Sequence, residues 1–214
     1  MKDASKGHDS LFTLPMDITV LDLSAYLGLL AVAAITLNML MGLLMAFRYS
    51  PYRCWPHHRF NYFRIHNWTG YLALSVSILH PLILLFNKDP RFRVLDLLYP
   101  VRSPAQPLDN SIGAIAVYLL AFVVITSYLR IRLGRRLWKS FHFSIYFAAA
   151  ALFWHSLFTD PGLKNAPVAW FDGGKLFVES CLLLIVAISL WRLRQARKNA
   201  SRARPIVEQP AASD

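Results

Sequence analysis

The chain has 214 residues, 56% of them hydrophobic and only 16% charged, with a net charge of +11. Soluble domains carry about 25% charged residues and shorter apolar runs, so an ordinary water-soluble fold is excluded and an all-α integral membrane bundle of about five transmembrane helices is expected. The positive charge does not point to nucleic acid, because it is concentrated in segments that alternate with long apolar runs.

In chain order, residues 1–18 form a polar tail in which Asp3, Asp9 and Asp17 stand where a secretory signal would be basic, so no cleaved signal is expected. The first predicted span, 25–47, is 23 residues without a charge. About 20 helical residues cross the ~30 Å of bilayer hydrocarbon. Residues 48–65 follow with Arg48, Arg53, Arg59 and Arg64 and no acid. The second span is 67–87. The connection 86–110 contains Pro90, Pro100, Pro104 and Pro107 around a short interfacial helix expected at 92–99. The third span, 112–129, leads into a basic turn holding Arg130, Arg132, Arg135, Arg136 and Lys139. A fourth span at 140–159 and an irregular loop with Pro161, Gly162, Pro167, Gly173 and Gly174 come next. The fifth span, 175–191, is the shortest and contains Glu179; a basic, then polar, tail closes the chain. Three units are therefore expected: the tail 1–18, a membrane domain 19–195 and the tail 196–214.

The basic segments follow spans one, three and five, and so fall on one side of the membrane. The positive-inside rule makes that side the cytoplasm, with the N-terminus outside and the C-terminus inside, as in a bacterial inner-membrane protein. The same cations are expected to meet lipid headgroups. Cys54 and Cys181 are too isolated to form a disulfide framework or a metal signature.

Four of the seven histidines belong to the apolar spans: His66 and His80 in the second, His142 and His155 in the fourth. Ionisable residues there are costly and point to function. The members of the first pair are 14 residues apart, and those of the second are 13 apart. Those separations correspond to ~21 Å and ~20 Å of helix. Both spans run from the cytoplasmic side outward, so His66 shares a depth with His142, and His80 with His155. Each pair can clamp a flat macrocycle with one imidazole on either side of an iron. The expected cofactor is therefore haem b, two per chain. Fourteen residues keep His66 and His80 within ~40° of one face, whereas thirteen leave His142 and His155 roughly 140° apart on an ideal helix. The fourth span must therefore bend, change pitch, or present its two ligands from different flanks. Pro81 is positioned to kink the second. A single zinc site would need four compact ligands, which two levels so far apart do not provide. An ion pathway would call for mid-membrane carboxylates, and Glu179 is the only candidate.

The segments Arg64-Ile-His-Asn-Trp-Thr-Gly-Tyr-Leu-Ala, Leu79-His-Pro81, Leu137-Trp-Lys-Ser-Phe-His-Phe-Ser-Ile-Tyr and Trp154-His155 carry a resemblance to the ferric reductase-like transmembrane family, which includes the membrane parts of ferric reductases and NADPH oxidases. The resemblance covers roughly residues 25–195. It implies that His66 and His142 bind an inner haem, and His80 and His155 an outer one. The segment from Leu133 to His142 is also similar to the haem-binding membrane subunit of periplasmic methionine sulfoxide reductase systems. That relative lacks a counterpart to one of the inner histidines, so His66 favours the two-haem members. The chain has no counterpart to the family's first helix and no Gly-rich dinucleotide fingerprint. The expected donor is accordingly a separate cytoplasmic flavoprotein, which would carry any flavin, or the quinone pool.

A haem with two histidine ligands has no open position for substrate, so electron transfer is the expected task. The acceptor on the outer side would be a ferric chelate, oxygen or a periplasmic redox enzyme. Haem propionates need cations: Arg64, Arg130 and Arg132 are the inner candidates, and Lys88 and Arg102 the outer ones. Phe147 falls between the two levels, as packing or along the electron path. The alternative is a non-redox membrane protein, either a metal transporter or an anchor for a partner subunit, which would tolerate loss of the histidines.

Overall fold

The computed structural model describes residues 18–46 and 61–202. Among them the order is α1 (Val20–Ala46), α2 (Tyr62–Ile83), α3 (Val94–Leu98), α4 (Pro107–Tyr128), α5 (Arg130–His142), α6 (Ile145–Phe158) and α7 (Gly173–Arg202). Five helical stretches are long and apolar enough to cross a membrane: α1, α2 with the 3-10 turn that continues it to Phe86, α4, α5 with α6, and α7. This is the expected all-α bundle. His8, Arg48, Arg53, Cys54, His57, His58 and Arg59 fall outside the described residues, as does the C-terminal tail beyond Arg202.

Local chemistry sets where the helices begin. At α1, the Thr19 N–H donates to Asp22 Oδ2 at 3.0 Å, and the Asp22 N–H donates back to Thr19 Oγ1 at 3.1 Å. This reciprocal cap satisfies N–H groups that have no partner within the helix. Asn61 Oδ1 accepts from the Arg64 N–H at 3.0 Å, so α2 starts at Tyr62 and His66 lies well inside a helix. Pro81 sits in the last turn of α2, which tightens into the 3-10 turn Leu84–Phe86. The expected interfacial helix is α3, with Val94, Leu95, Leu98 and Tyr99 exposed.

The residues expected to form a basic turn instead form a helix. α5 begins after a break at Leu129 and is bent at Gly134, whose φ of 74° is one that only glycine adopts at little cost. α5 gives way to α6 at Phe143 and Ser144, both with ψ of −16°. There the Ser144 and Tyr146 N–H groups reach only three residues back, to Phe141 O at 3.0 Å and Phe143 O at 3.2 Å. Such bonds belong to a 3-10 turn, which advances about 120° per residue instead of about 100°. The overwinding turns His155 toward the flank that carries His142. It takes up part of the roughly 140° that the thirteen-residue spacing leaves on an ideal helix.

Two antiparallel pairs dominate the packing, α1 on α2 and α4 on α6, with α7 along α1 and α6. Their shared core includes Val32, Ile35, Ala73, Leu120, Ala149 and Val178. The outer face of the bundle is apolar as well: Leu30, Leu37, Leu72, Leu79 and Leu183 are all exposed, as lipid contact requires. Phe147, between His142 and His155 along the chain, is 72% exposed and is not part of the buried core. Ala148, Ala149, Leu152 and Phe153 form the buried side of α6. On the far side from the basic segments, the loops before α4 and after α6 are joined: the Asp160 N–H donates to Gln106 Oε1 at 3.1 Å.

Candidate functional site

His66 and His80 sit on α2, His142 ends α5 and His155 sits on α6; α2 and α6 hardly touch each other because each packs mainly on another partner. Across the gap, His66 faces His142 and His80 faces His155. The ring centres are 6.2 Å apart in both pairs, with interplanar angles of 70° and 68°. Two metal–imidazole bonds of about 2 Å, with about 1.1 Å from each nitrogen to its ring centre, would place two ring centres about 6.2 Å apart. The separation therefore suits an iron held between each pair. Among the described residues, no three His, Cys, Asp or Glu side chains cluster around a common point.

Each ring is held through Nδ1, which leaves Nε2 free to ligate. His66 Nδ1 lies 3.1 Å from Asn38 O, and His80 Nδ1 lies 2.7 Å from Ser24 O. His155 Nδ1 lies 2.8 Å from Asp109 O. His142 Nδ1 has instead the Ser127 hydroxyl, at 3.2 Å. Hydrogen bonds of this kind fix ring orientation and raise the basicity of the ligating nitrogen. Two further hydroxyls serve the outer level: Ser24 Oγ is 3.2 Å from His80 Nδ1, and Thr159 Oγ1 is 3.0 Å from His155 Nδ1.

Three glycines make the carbonyl contacts possible. A Cβ on Gly28 would lie 3.2 Å from the His80 ring, one on Gly42 3.3 Å from His66, and one on Gly113 2.8 Å from His155. Each glycine is four residues after the accepting carbonyl: Ser24 and Gly28, Asn38 and Gly42, Asp109 and Gly113. In a helix, the carbonyl of one residue bonds the N–H four residues later, and its second lone pair is free beside that residue's side chain. Glycine there opens the groove, and the imidazole enters it. Asn38 also donates through Nδ2 to His66 O at 2.6 Å and to Thr69 Oγ1 at 2.8 Å, locking α1 to α2 at the inner level.

A cavity of about 470 Å³ contains the His66/His142 level and lies where the ends of α1, α4 and α7 meet the start of α2. This size is within the usual range for small-molecule and cofactor sites. Arg130, Arg135 and Lys139 of the second basic segment and Arg192 of the third line it, at one end of the bundle. Of the three inner cations expected from sequence, only Arg130 is in this wall, its guanidinium 4.3 Å above the Phe63 ring. Arg64 and Arg132 lie outside the lining. Arg135 and Lys139 join it because their basic run is helical and not a turn. In the helix that it forms, residues 135, 139 and 142 follow the i, i+4, i+7 pattern of one face.

At the outer level, Lys88 and Arg102 are exposed. The buried cation there is Lys175, 8% exposed. Its Nζ donates to Ser156 O, Leu157 O and Thr159 O at 2.9, 2.7 and 2.8 Å. These carbonyls end α6 and have no helical partner, so the ammonium caps the helix that bears His155. With all three donors used, Lys175 is committed to that cap. Burial raises the nearby Asp160 carboxyl, but the N–H groups of Ala166, Gly162 and Lys164, with the Lys175 charge, outweigh it and hold the group below its ordinary range.

The model of the family described as "Ferric reductase like transmembrane component" matches residues 27–153, more than half of the chain. The match takes in His66, His80 and His142 and ends just before His155. No curated protein and no solved structure matches the chain.

Proposed function

The chain belongs to the ferric reductase-like transmembrane family, and from that premise we propose that it is the membrane component of an electron-transfer system, binding two b-type haems between paired histidines. His66 and His142 would hold the inner haem, and His80 and His155 the outer one. The observation that carries this reading is the repeated geometry: two opposed imidazole pairs at the same 6.2 Å ring separation, each nitrogen that faces away from the gap already hydrogen-bonded. When bound, each iron would supply a one-electron couple, and the paired histidines would hold it.

The chain's own residues do the rest. Carbonyl and hydroxyl partners keep each Nδ1 protonated and each Nε2 aimed into the gap. Arg130, Arg135, Lys139 and Arg192 offer the charge that propionate carboxylates need at the inner level. Apolar packing by Ile35, Ala73, Leu120 and Ala149 keeps water from the space between the levels. A plain anchor or a metal transporter would have no need of four histidines seated in this way.

The convergence of cations at the inner cavity favours that end as the cytoplasmic one. The donor on that side is a separate flavoprotein or the quinone pool, and the acceptor on the outer side is a ferric chelate, oxygen or a periplasmic redox enzyme. Proteoliposomes enclosing ferricyanide test the function. With dithionite outside, the intact protein should reduce the enclosed ferricyanide, and His80→Ala should abolish this. Equal rates in protein-free vesicles, or an unaffected His80→Ala variant, would contradict the proposal.

A further inference from the structure

We infer that Ser127 is the positioning residue of His142 and sets the electronic character of the inner site; the inference deepens the haem reading above and rests on it. The other three histidines share one kind of seat, a helix carbonyl at one position and a glycine four residues later. On α1 the two seats, Ser24/Gly28 and Asn38/Gly42, are 14 residues apart, matching the spacing of His80 and His66 on α2. On α4 the outer seat is Asp109/Gly113. The same 14-residue step along α4 leads to Val123 and Ser127.

At this fourth seat the pattern changes. Ser127 stands where the register calls for glycine. The Val123 carbonyl takes a hydrogen bond from Thr126 Oγ1 at 3.2 Å. His142 Nδ1 meets the Ser127 hydroxyl instead, at 3.2 Å. Trp138 completes the arrangement: its Nε1–H donates to Ser127 Oγ at 3.4 Å, and its ring lies 5.3 Å from that of His142 at 33°. One serine oxygen thus accepts from the indole and also meets the imidazole.

The substitution has a chemical consequence. A helix carbonyl is fixed by its backbone and can only accept, whereas a hydroxyl rotates and can donate as well. Among the described residues, His142 alone of the four lacks a carbonyl at Nδ1, so its basicity depends on a single side chain. Removing that acceptor makes His142 a poorer donor to ferric iron, which raises the midpoint potential of the inner haem and weakens its retention.

The test is a spectroscopic redox titration of the purified full-length protein, comparing the wild type with Ser127→Ala, Ser127→Thr and His142→Ala. His142→Ala identifies the inner wave by removing it, while the outer haem reports that the bundle is folded. Ser127→Ala should shift the inner wave upward by about tenfold in the reduction equilibrium, about 59 mV for one electron, or lose the inner haem alone. Ser127→Thr, which keeps a hydroxyl, should restore both position and occupancy. An Ala variant whose waves coincide with the wild type, or one that shifts the outer wave instead, would overturn the role of Ser127. A wild-type preparation that binds no haem would overturn the haem reading itself, and the two failures are therefore distinct.

Discussion

Gly113 has the least room of the three glycines that face an imidazole, since a Cβ there would come within 2.8 Å of His155 Nδ1 and 3.0 Å of its Cγ. The ring or the helix must move to admit even a methyl group, and overpacking of this kind costs roughly 1–3 kcal/mol. Gly113→Ala is expected to displace His155 and lower occupancy of the outer haem, with the inner haem retained. Gly42→Ala, at 3.3 Å from His66, should have a milder effect on the inner level. Haem content per chain, measured on both purified variants, checks the ranking. The four histidines themselves were legible in the sequence because a helix converts spacing directly into depth. Their hydrogen-bond partners were not, because each lies on a helix distant in the chain. One signal was nevertheless present: Ser24/Gly28 and Asn38/Gly42 repeat at the interval that separates His66 from His80.

Helix ends account for the main differences between the expected and observed elements. Residues 130–139 are rich in arginine and lysine, and that charge suggested a solvated turn. Arg, Leu and Lys are also good helix formers, and α5 results once Gly134 absorbs the bend. The consequence is a basic helix that brings Arg135 and Lys139 to the inner cavity. A pitch change was one of three ways to reconcile the thirteen-residue spacing, and its position at Phe143–Ser144 could not be read from residue types that are all compatible with helix. Lys175 is the third case. The first residue of a predicted span, it caps α6 with three hydrogen bonds. Hydrogen bonds involving a charged group contribute about 1.5–3 kcal/mol, so Lys175→Met should destabilise the protein by at least that order. Thermal unfolding in detergent should show a lower midpoint, and Lys175→Arg should recover part of the loss. An unchanged midpoint would show that the cap contributes little.

At the scale of the whole molecule, two helical pairs hold α2 and α6 apart, and imidazoles face each other at two levels, His66 with His142 and His80 with His155. α1 and α4 do more than enclose that gap. They supply the oxygens that orient all four rings, so the bundle is built from the outside inward around the histidines. The most direct test is a pyridine-haemochrome count on the purified protein, with a reduced-minus-oxidised visible spectrum, for the wild type and four single His→Ala variants. The account predicts two b-type haems per chain, with one lost in His66→Ala and His142→Ala and the other in His80→Ala and His155→Ala. A folded wild type from haem-replete cells with no haem, or variants that keep both haems, would contradict it.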